Sequence, residues 1–310
     1  MRWLVAVHKD GRRLVQAPKL SALVAMLNWI ETPAGPFPPL AEGVAIRRRI
    51  PDALLQHDVV EISGYSENVV EHFRQVQPAR LEIPWIISFG APFTIKIGEA
   101  MRPAIMNGSF VAGLIPGPVT IDSRGGSSCI TVSFTPSGAR RFFNLPMFEI
   151  AGSMAKLEDL LGNTTAVVRD RLNSESDWEL RFDLVEKFLA NRLLCVERTS
   201  SPTIWAYDRL VQSNGTERIE AIAGRLGWSR KHLVSKFRDE IGLAPKTIAQ
   251  MIRFNHVLTH ARHRTCSWAE LACECGYSDQ AHLVRDFTRF AGESPGAWGS
   301  RLASWTPRNQ

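Results

Sequence analysis

The 310-residue chain lacks a disulfide framework: its five cysteines, Cys129, Cys195, Cys266, Cys273 and Cys275, are odd in number and irregularly spaced. That usage fits a reducing cytoplasm. Cys273 and Cys275 stand two apart on a helical pattern, point to different sides and do not form a metal-ligand pair. No apolar run approaches the ~20 residues that a membrane span needs. The start, RWLVAV followed at once by HKDGRR, does not read as a secretory signal, so neither a membrane nor export is expected. Paired histidines with a carboxylate, the usual protein ligands of a catalytic metal, are also missing from the first two thirds. His57 and His72 are fifteen apart with no His-x-His pair. Later, His256, His260 and His263 fall on one helical face with Cys266 after them, a spacing able to bind zinc. A helix C-terminus, however, favours cationic and hydrogen-bonding residues such as Arg262, His263 and Arg264 through its dipole. No metal and no cofactor are expected.

What is present is a repeat. IAGRLGWS from Ile222 and HLVSKFRDEIGLAP from His232 return as LACECGYS from Leu271 and HLVRDFTRFAGESP from His282. Ala223, Gly227, Trp228 and Ser229 recur 49 positions later as Ala272, Gly276, Tyr277 and Ser278. His232, Leu233, Val234, Phe237, Gly242 and Pro245 recur 50 positions later as His282, Leu283, Val284, Phe287, Gly292 and Pro295. Ten matches mark two copies of one unit, with a one-residue slip at the mouth of the second helix.

Each copy reads as helix, tight turn, helix. Gly227 stops the first helix, Ser229 is a candidate N-cap, and Leu233 and Phe237 share the buried face of the second. In a helix-turn-helix the second helix enters the major groove of DNA. The opposite face of the first copy carries Arg230, Lys231, Val234, Ser235 and Arg238, with Lys236 beside them as a phosphate contact. The matching face of the second carries Gln280, Ala281, Val284, Arg285 and Thr288, with Arg289 adjoining. An arginine fork suits guanine and a glutamine amide suits adenine, so Arg285 and Gln280 are the best candidates for base contact; Lys and Arg also hold phosphate. The linker from Pro245 to Arg262 is 18 residues, about 27 Å as a helix. It holds two recognition helices roughly one DNA turn, ~34 Å, apart.

Charge is placed accordingly. Residues 201–310 carry 15 Lys and Arg against 10 Asp and Glu, whereas residues 1–200 carry 22 against 21. The positive excess lies in the segment with the repeat, as an electrostatic footprint for DNA requires.

The segment CGYSDQAHLVRDFTRFAGESPGAW, after WAELA, resembles the second helix-turn-helix signature of the AraC/XylS family of bacterial transcription regulators. SRKHLVSKFRDEIGLAPKTIAQMIRFNHVL resembles that family's first recognition helix and linker helix. The resemblance covers about residues 201–302, and Arg285, Phe287, Gly292 and Pro295 match its best-marked positions. Ser235 and Ala281 depart from it, standing where relatives often carry larger polar groups. It implies double-stranded DNA as a partner, an activator-type regulator in the bacterial cytoplasm, and RNA polymerase, a small effector and a second copy of the chain as further partners. Such helix-turn-helix pairs are sometimes fused to DNA-repair alkyltransferases with a reactive cysteine. Cys129 in SSCITV and Cys195 in LLCVER lack the His or Pro neighbours that would lower a thiol pKa, so no enzyme is expected.

Length suggests two domains. Residues 1–40 read as an extension, or as a start codon assigned too early: Leu20 to Ile30 forms at most a short helix, and TPAGPFPP cannot be regular. From His57 about seven short β-rich segments end at SCITVSF and predict a small antiparallel barrel or sandwich. SGARRFF, MAKLEDLLG, TTAVVRDRLNS and DWELRFDLVEKFLANRLL then read as helices. In the last, Leu180, Leu184 and Phe188, with Val185 and Leu189, mark the buried stripe. RTSSP at 198–202 reads as the linker, and IWAYDRLVQSNG as the first helix beyond it. The expected class is therefore α+β, with an extension at 1–40, a sensor or dimerisation domain at 41–200 and an all-α DNA-binding domain at 201–310. The β segment more weakly resembles the cupin-like sensor domains of some AraC-type regulators, which bind an effector, dimerise, or do both. Trp85, Phe89 and Phe93 are candidates to line a pocket, although aromatic residues at strand spacing more often form core. The alternative role for this domain is a protein-interaction module.

Overall fold

A computed structural model describes residues 43–305 other than 69–71, 99–101, 107, 163, 197–200 and 264–265. The extension at 1–40 and most of the expected linker lie outside the described residues. Among the described residues the N-terminal domain holds ten strands: β1 Val44–Arg49, β2 Val59–Glu67, β3 Phe73–Gln77, β4 Ile83–Ser88, β5 Phe93–Ile97, β6 Ala104–Met106, β7 Phe110–Ala112, β8 Val119–Ser123, β9 Ser128–Phe134 and β10 Met154–Lys156. They pair antiparallel in two sheets, β1-β2-β9-β4-β7-β10 and β3-β8-β5-β6. Among the described residues the sheets do not close, so of the barrel and sandwich alternatives the open sandwich is correct.

Three strands were not expected. β1 ends in three arginines, which hide its pattern. Arg47 lies over the Trp178 ring at 4.8 Å, and Arg49 bridges Asp183 at 2.7 Å and Glu186 at 3.1 Å. Charged side chains on an edge strand also block further pairing. β6 and β10 are three residues each, too short to show periodicity. MAKLEDLLG is accordingly corrected: its first three residues extend the sheet by pairing with β7, and only Leu157–Leu161 is helical.

The helices of this domain are α1 Pro136–Phe143, α2 Leu157–Leu161, α3 Thr164–Ser174 and α4 Trp178–Leu193. In α4, capped by Asp177, the buried stripe is Phe182, Val185, Leu189 and Leu193, while Leu180 is 49% exposed. Of the expected stripe Val185 and Leu189 are buried, and Leu184 and Phe188 are half-buried against the same core; only Leu180 departs, and Phe182 and Leu193 join the buried face. Trp85, Phe134 and Phe142 stack beneath it, with centroids 4.9 to 6.4 Å apart.

Among the described residues seven further helices follow: α5 Pro202–Gln212, α6 Ile219–Arg225, α7 Arg230–Glu240, α8 Pro245–His263, α9 Trp268–Glu274, α10 Gln280–Ala291 and α11 Pro295–Trp305. Leu210, Ile222, Leu233 and Phe237 belong to the same buried cluster as Phe142 and Val185. A second cluster joins Phe254, Leu271, Leu283, Phe287 and Trp298, and it takes in Ala79 from the N-terminal domain. Both domains therefore share buried surface.

Candidate nucleic-acid interface

The two copies repeat their turn chemistry. Gly227 and Gly276 have φ of 66° and 73°, the left-handed region that glycine adopts without a Cβ clash. The next residue's amide closes each turn: Trp228 N–H donates to Ala223 O and Tyr277 N–H to Ala272 O, both at 2.9 Å. Each aromatic ring then meets the repeated histidine edge-on, Trp228 with His232 at 4.6 Å and Tyr277 with His282 at 5.1 Å.

The copies differ at the cap. Ser229 Oγ accepts from His232 N, as expected. In the second copy the cap is Asp279, not Ser278, and it accepts from His282 N at 2.7 Å. The slip of one residue is thus an insertion in the second turn, ahead of the cap. That backbone hydrogen bond, Ser278 and, more weakly, Arg285 hold the Asp279 carboxyl below its ordinary range.

Leu233 and Phe237 in α7, and Leu283 and Phe287 in α10, are buried. Arg230, Lys231, Ser235 and Arg238 are exposed on α7, with Val234 and Lys236 half-buried; Gln280, Ala281, Arg285, Thr288 and Arg289 are exposed on α10, with Val284 half-buried. Arg230 pairs with Glu220 at 3.2 Å, both side chains more than 60% exposed. Among the described residues Arg285 makes no ion pair; it does not bond Asp286. That carboxylate is 6% exposed and accepts from Gln250 of α8 at 3.3 Å, with His282 3.8 Å away. The tie of the recognition helix to the linker helix was missed, although Asp286 sits three residues after Leu283 and four before Phe290, on the buried face.

α8 spans 19 residues, about 28 Å. On it His256 and His260 approach Nε2 to Nε2 at 2.9 Å, and burial together with the His260 charge holds His256 below its usual range. The C-terminal ends of both recognition helices rest on the N-terminal domain. Arg140 donates to Asp239 O at 2.9 Å and pairs with its carboxylate at 3.1 Å. Ala79 N–H donates to Phe290 O at 2.9 Å, and Asn255 Nδ2 to Ala79 O at 3.3 Å.

Between the two sheets lies a cavity of about 260 Å³. Its walls are apolar, with Tyr65, Ile86, Phe93, Ile95, Phe110 and Ile121 among them, and Arg48, Glu61, Arg80 and Glu82 stand on it. Phe93 meets the expectation for a pocket, but Trp85 and Phe89 do not line it. Trp85 is fully buried on the other face of the sheet, and Phe89 packs on Trp178. Arg48 bridges Glu61 at 3.4 Å, while burial raises the Glu61 carboxyl. At one end Tyr65 and Ser123 hydroxyls donate to the buried Glu67, joined by Ser127 N at 3.2 Å. Cys129 also lines the cavity, and burial pushes its thiol up to about 12.

Residues 222–301 match the model of a family described as a helix-turn-helix domain. The C-terminal part of the chain therefore carries a helix-turn-helix domain. No curated protein sequence matches the chain. Among solved structures, ToxT from Vibrio cholerae is 11% identical, with 86% of this chain and 100% of that one covered and a TM-score of 0.42. The DNA-binding domain of AdpA, in complex with a target DNA, is 23% identical over 36% of this chain and 100% of its own, with a TM-score of 0.33. The C-terminal domain of AraT from Geobacillus stearothermophilus is 20% identical over 34% and 88%, with a TM-score of 0.32.

Proposed function

We propose that this chain is a sequence-specific DNA-binding transcription regulator whose two recognition helices, α7 and α10, enter adjacent major grooves on one face of the duplex. One observation carries the reading: two copies of one unit, each with its polar face exposed, stand at the ends of a helix about 28 Å long, close to the ~34 Å of one DNA turn. In this reading Arg285 and Gln280 read bases. Arg230, Lys231, Lys236, Arg238 and Arg289 hold phosphate, and Ser235, Ala281 and Thr288 complete the two surfaces. The N-terminal domain sets how the pair is presented, through a small effector or by pairing two copies. The cavity favours the effector over a pure protein-interaction module. The protein performs no catalysis, works in the bacterial cytoplasm and acts with RNA polymerase. Among the described residues no helix is long and apolar enough to cross a membrane.

Mapping the genomic DNA bound by the protein tests the reading directly; absence of any enriched sequence would overturn it. Lys231→Ala is expected to weaken binding about uniformly across sequences and to reduce the slope of log affinity against log salt by roughly one. An unchanged slope removes Lys231 from the phosphate set.

The division near Ser201 belongs to the same proposal. Ser201 caps α5 through Thr203 N and Ile204 N, and α5, α7 and α8 pack on one another. The fragment 201–310 is expected to fold alone and to bind DNA. A random-coil circular dichroism spectrum would move the boundary.

A further inference from the structure

Two segments of the N-terminal domain have a double allegiance. Pro78, Ala79, Arg80 and Glu82 line the cavity between the sheets, and so do Gly117 and Val119. The same segments clamp the last turn of α10. Ala79 N–H donates to Phe290 O at 2.9 Å, and Ala79 is itself buried among the aromatic residues of the second helix-turn-helix unit. Gly292, the left-handed cap of α10 with φ of 79°, lies so close to Pro118 that a Cβ there would sit 3.0 Å from its ring. Leu81, between Arg80 and Glu82 in sequence, packs against both buried clusters. The wall of the cavity is therefore one residue thick at the point where the second recognition helix leans on it.

The cavity also states what fits. At about 260 Å³ it falls below the usual ~300–1,000 Å³ of drug-sized sites, so it suits a small body. The charged groups on it are two arginines and two glutamates, Arg48, Arg80, Glu61 and Glu82, which sum to zero. Arg48 and Glu61 already bridge each other. An ionised ligand would lose water without meeting an opposite excess of charge, a cost that an uncharged hydrogen-bonding head avoids.

We infer that the cavity binds a small, uncharged, mainly aromatic or alicyclic molecule with one polar head, and that its occupancy is transmitted to the second recognition helix through segments 78–82 and 117–119. The inference rests on the regulator reading for its purpose only; binding and transmission are both read without DNA. A ligand seated behind Ala79 opposes the opening of that wall. With ligand at about ten times its Kd, amide exchange at Ala79 slows by about tenfold if opening the wall and binding exclude each other. Protection then extends to the last turn of α10, Phe290 to Gly292, because the two are hydrogen-bonded.

The test uses the full chain with three probes of one shape and different charge: 2-naphthol, 2-naphthoate and 2-naphthylmethylammonium. Saturable binding is followed by calorimetry and amide exchange by mass spectrometry. Naphthol is expected to bind at least about tenfold tighter than either ion, to slow exchange at residues 78–82, and to slow it in the last turn of α10. Thr131→Phe, which places a ring inside the cavity, should abolish binding; Ser63→Leu serves the same purpose if the first variant melts early. Naphthoate binding as tightly as naphthol overturns the ligand class, and failure of all three to bind overturns the cavity site. Protection at 78–82 without any in α10 overturns the transmission. A protein that passes all of this but enriches no DNA sequence would leave the cavity standing and sink the regulator reading instead.

Discussion

Replacing Phe287 by alanine is expected to destabilise the protein by about 3–5 kcal/mol, the usual cost of removing a buried aromatic ring. Phe287 is 1% exposed and meets three rings edge-on, Phe254 at 5.3 Å, Trp268 at 5.7 Å and Trp298 at 5.8 Å. These come from α8, α9 and α11, so one side chain ties three helices to the second recognition helix. Denaturant melts should show the loss, and Phe287→Leu should recover much of it by refilling volume. Thr288→Ala, one residue on and exposed, should shift stability by no more than about 0.5 kcal/mol. Equal effects at 287 and 288 would mean that α10 is not seated as described.

Arg285→Ala is expected to cost about 1–3 kcal/mol of operator binding and to flatten preference at one or two base pairs of one half-site. The guanidinium stands on the exposed face of α10, opposite Leu283 and Phe287, and a planar fork suits guanine O6 and N7 together. The competing role for Arg285 is an ion pair with Asp286 or Asp279 that braces the helix. Asp286 is turned inward to Gln250, and Asp279 is engaged with the helix cap. What remains between Arg285 and Asp279 is an interaction across solvent, worth little to the fold. Thermal stability should therefore barely move. A variant that keeps the full sequence preference would hand base reading to Gln280; one that fails only by melting early would assign Arg285 to structure.

The helix-turn-helix region was legible because its signals are local. Glycines at the turns, hydroxyl or carboxylate caps and apolar spacing all lie within a few residues of the elements they define, and the repeat states them twice. Only the cap of the first copy, Ser229, was read from the sequence; in the second copy the repeated serine, Ser278, stands one residue ahead of the cap, Asp279. In the N-terminal domain the longer strands showed their alternation, β6 and β10 were too short to do so, and β1 was masked by three arginines, of which Arg47 and Arg49 find partners on α4 and Arg48 on β2. The stripe of α4 was legible except at its start: Val185 and Leu189 are buried as read, whereas Leu180 is exposed and Phe182, two residues on, is buried in its place. The cavity and its shared walls join residues from most strands of both sheets, a product of topology that no local pattern announces.

The two reading units follow one another along a single chain, and they are unlike: one cap is Ser229 and the other Asp279, and Ser235 stands where the other copy has Arg285. A pair of identical subunits related by a twofold axis reads a palindrome and cannot tell left from right. This arrangement has a head and a tail. In the proposed reading a bound molecule therefore points along the DNA, and an inverted operator is a different address. Moving the same site to the opposite strand, at the same distance from a promoter, would turn the N-terminal domain and its cavity to face upstream instead of downstream.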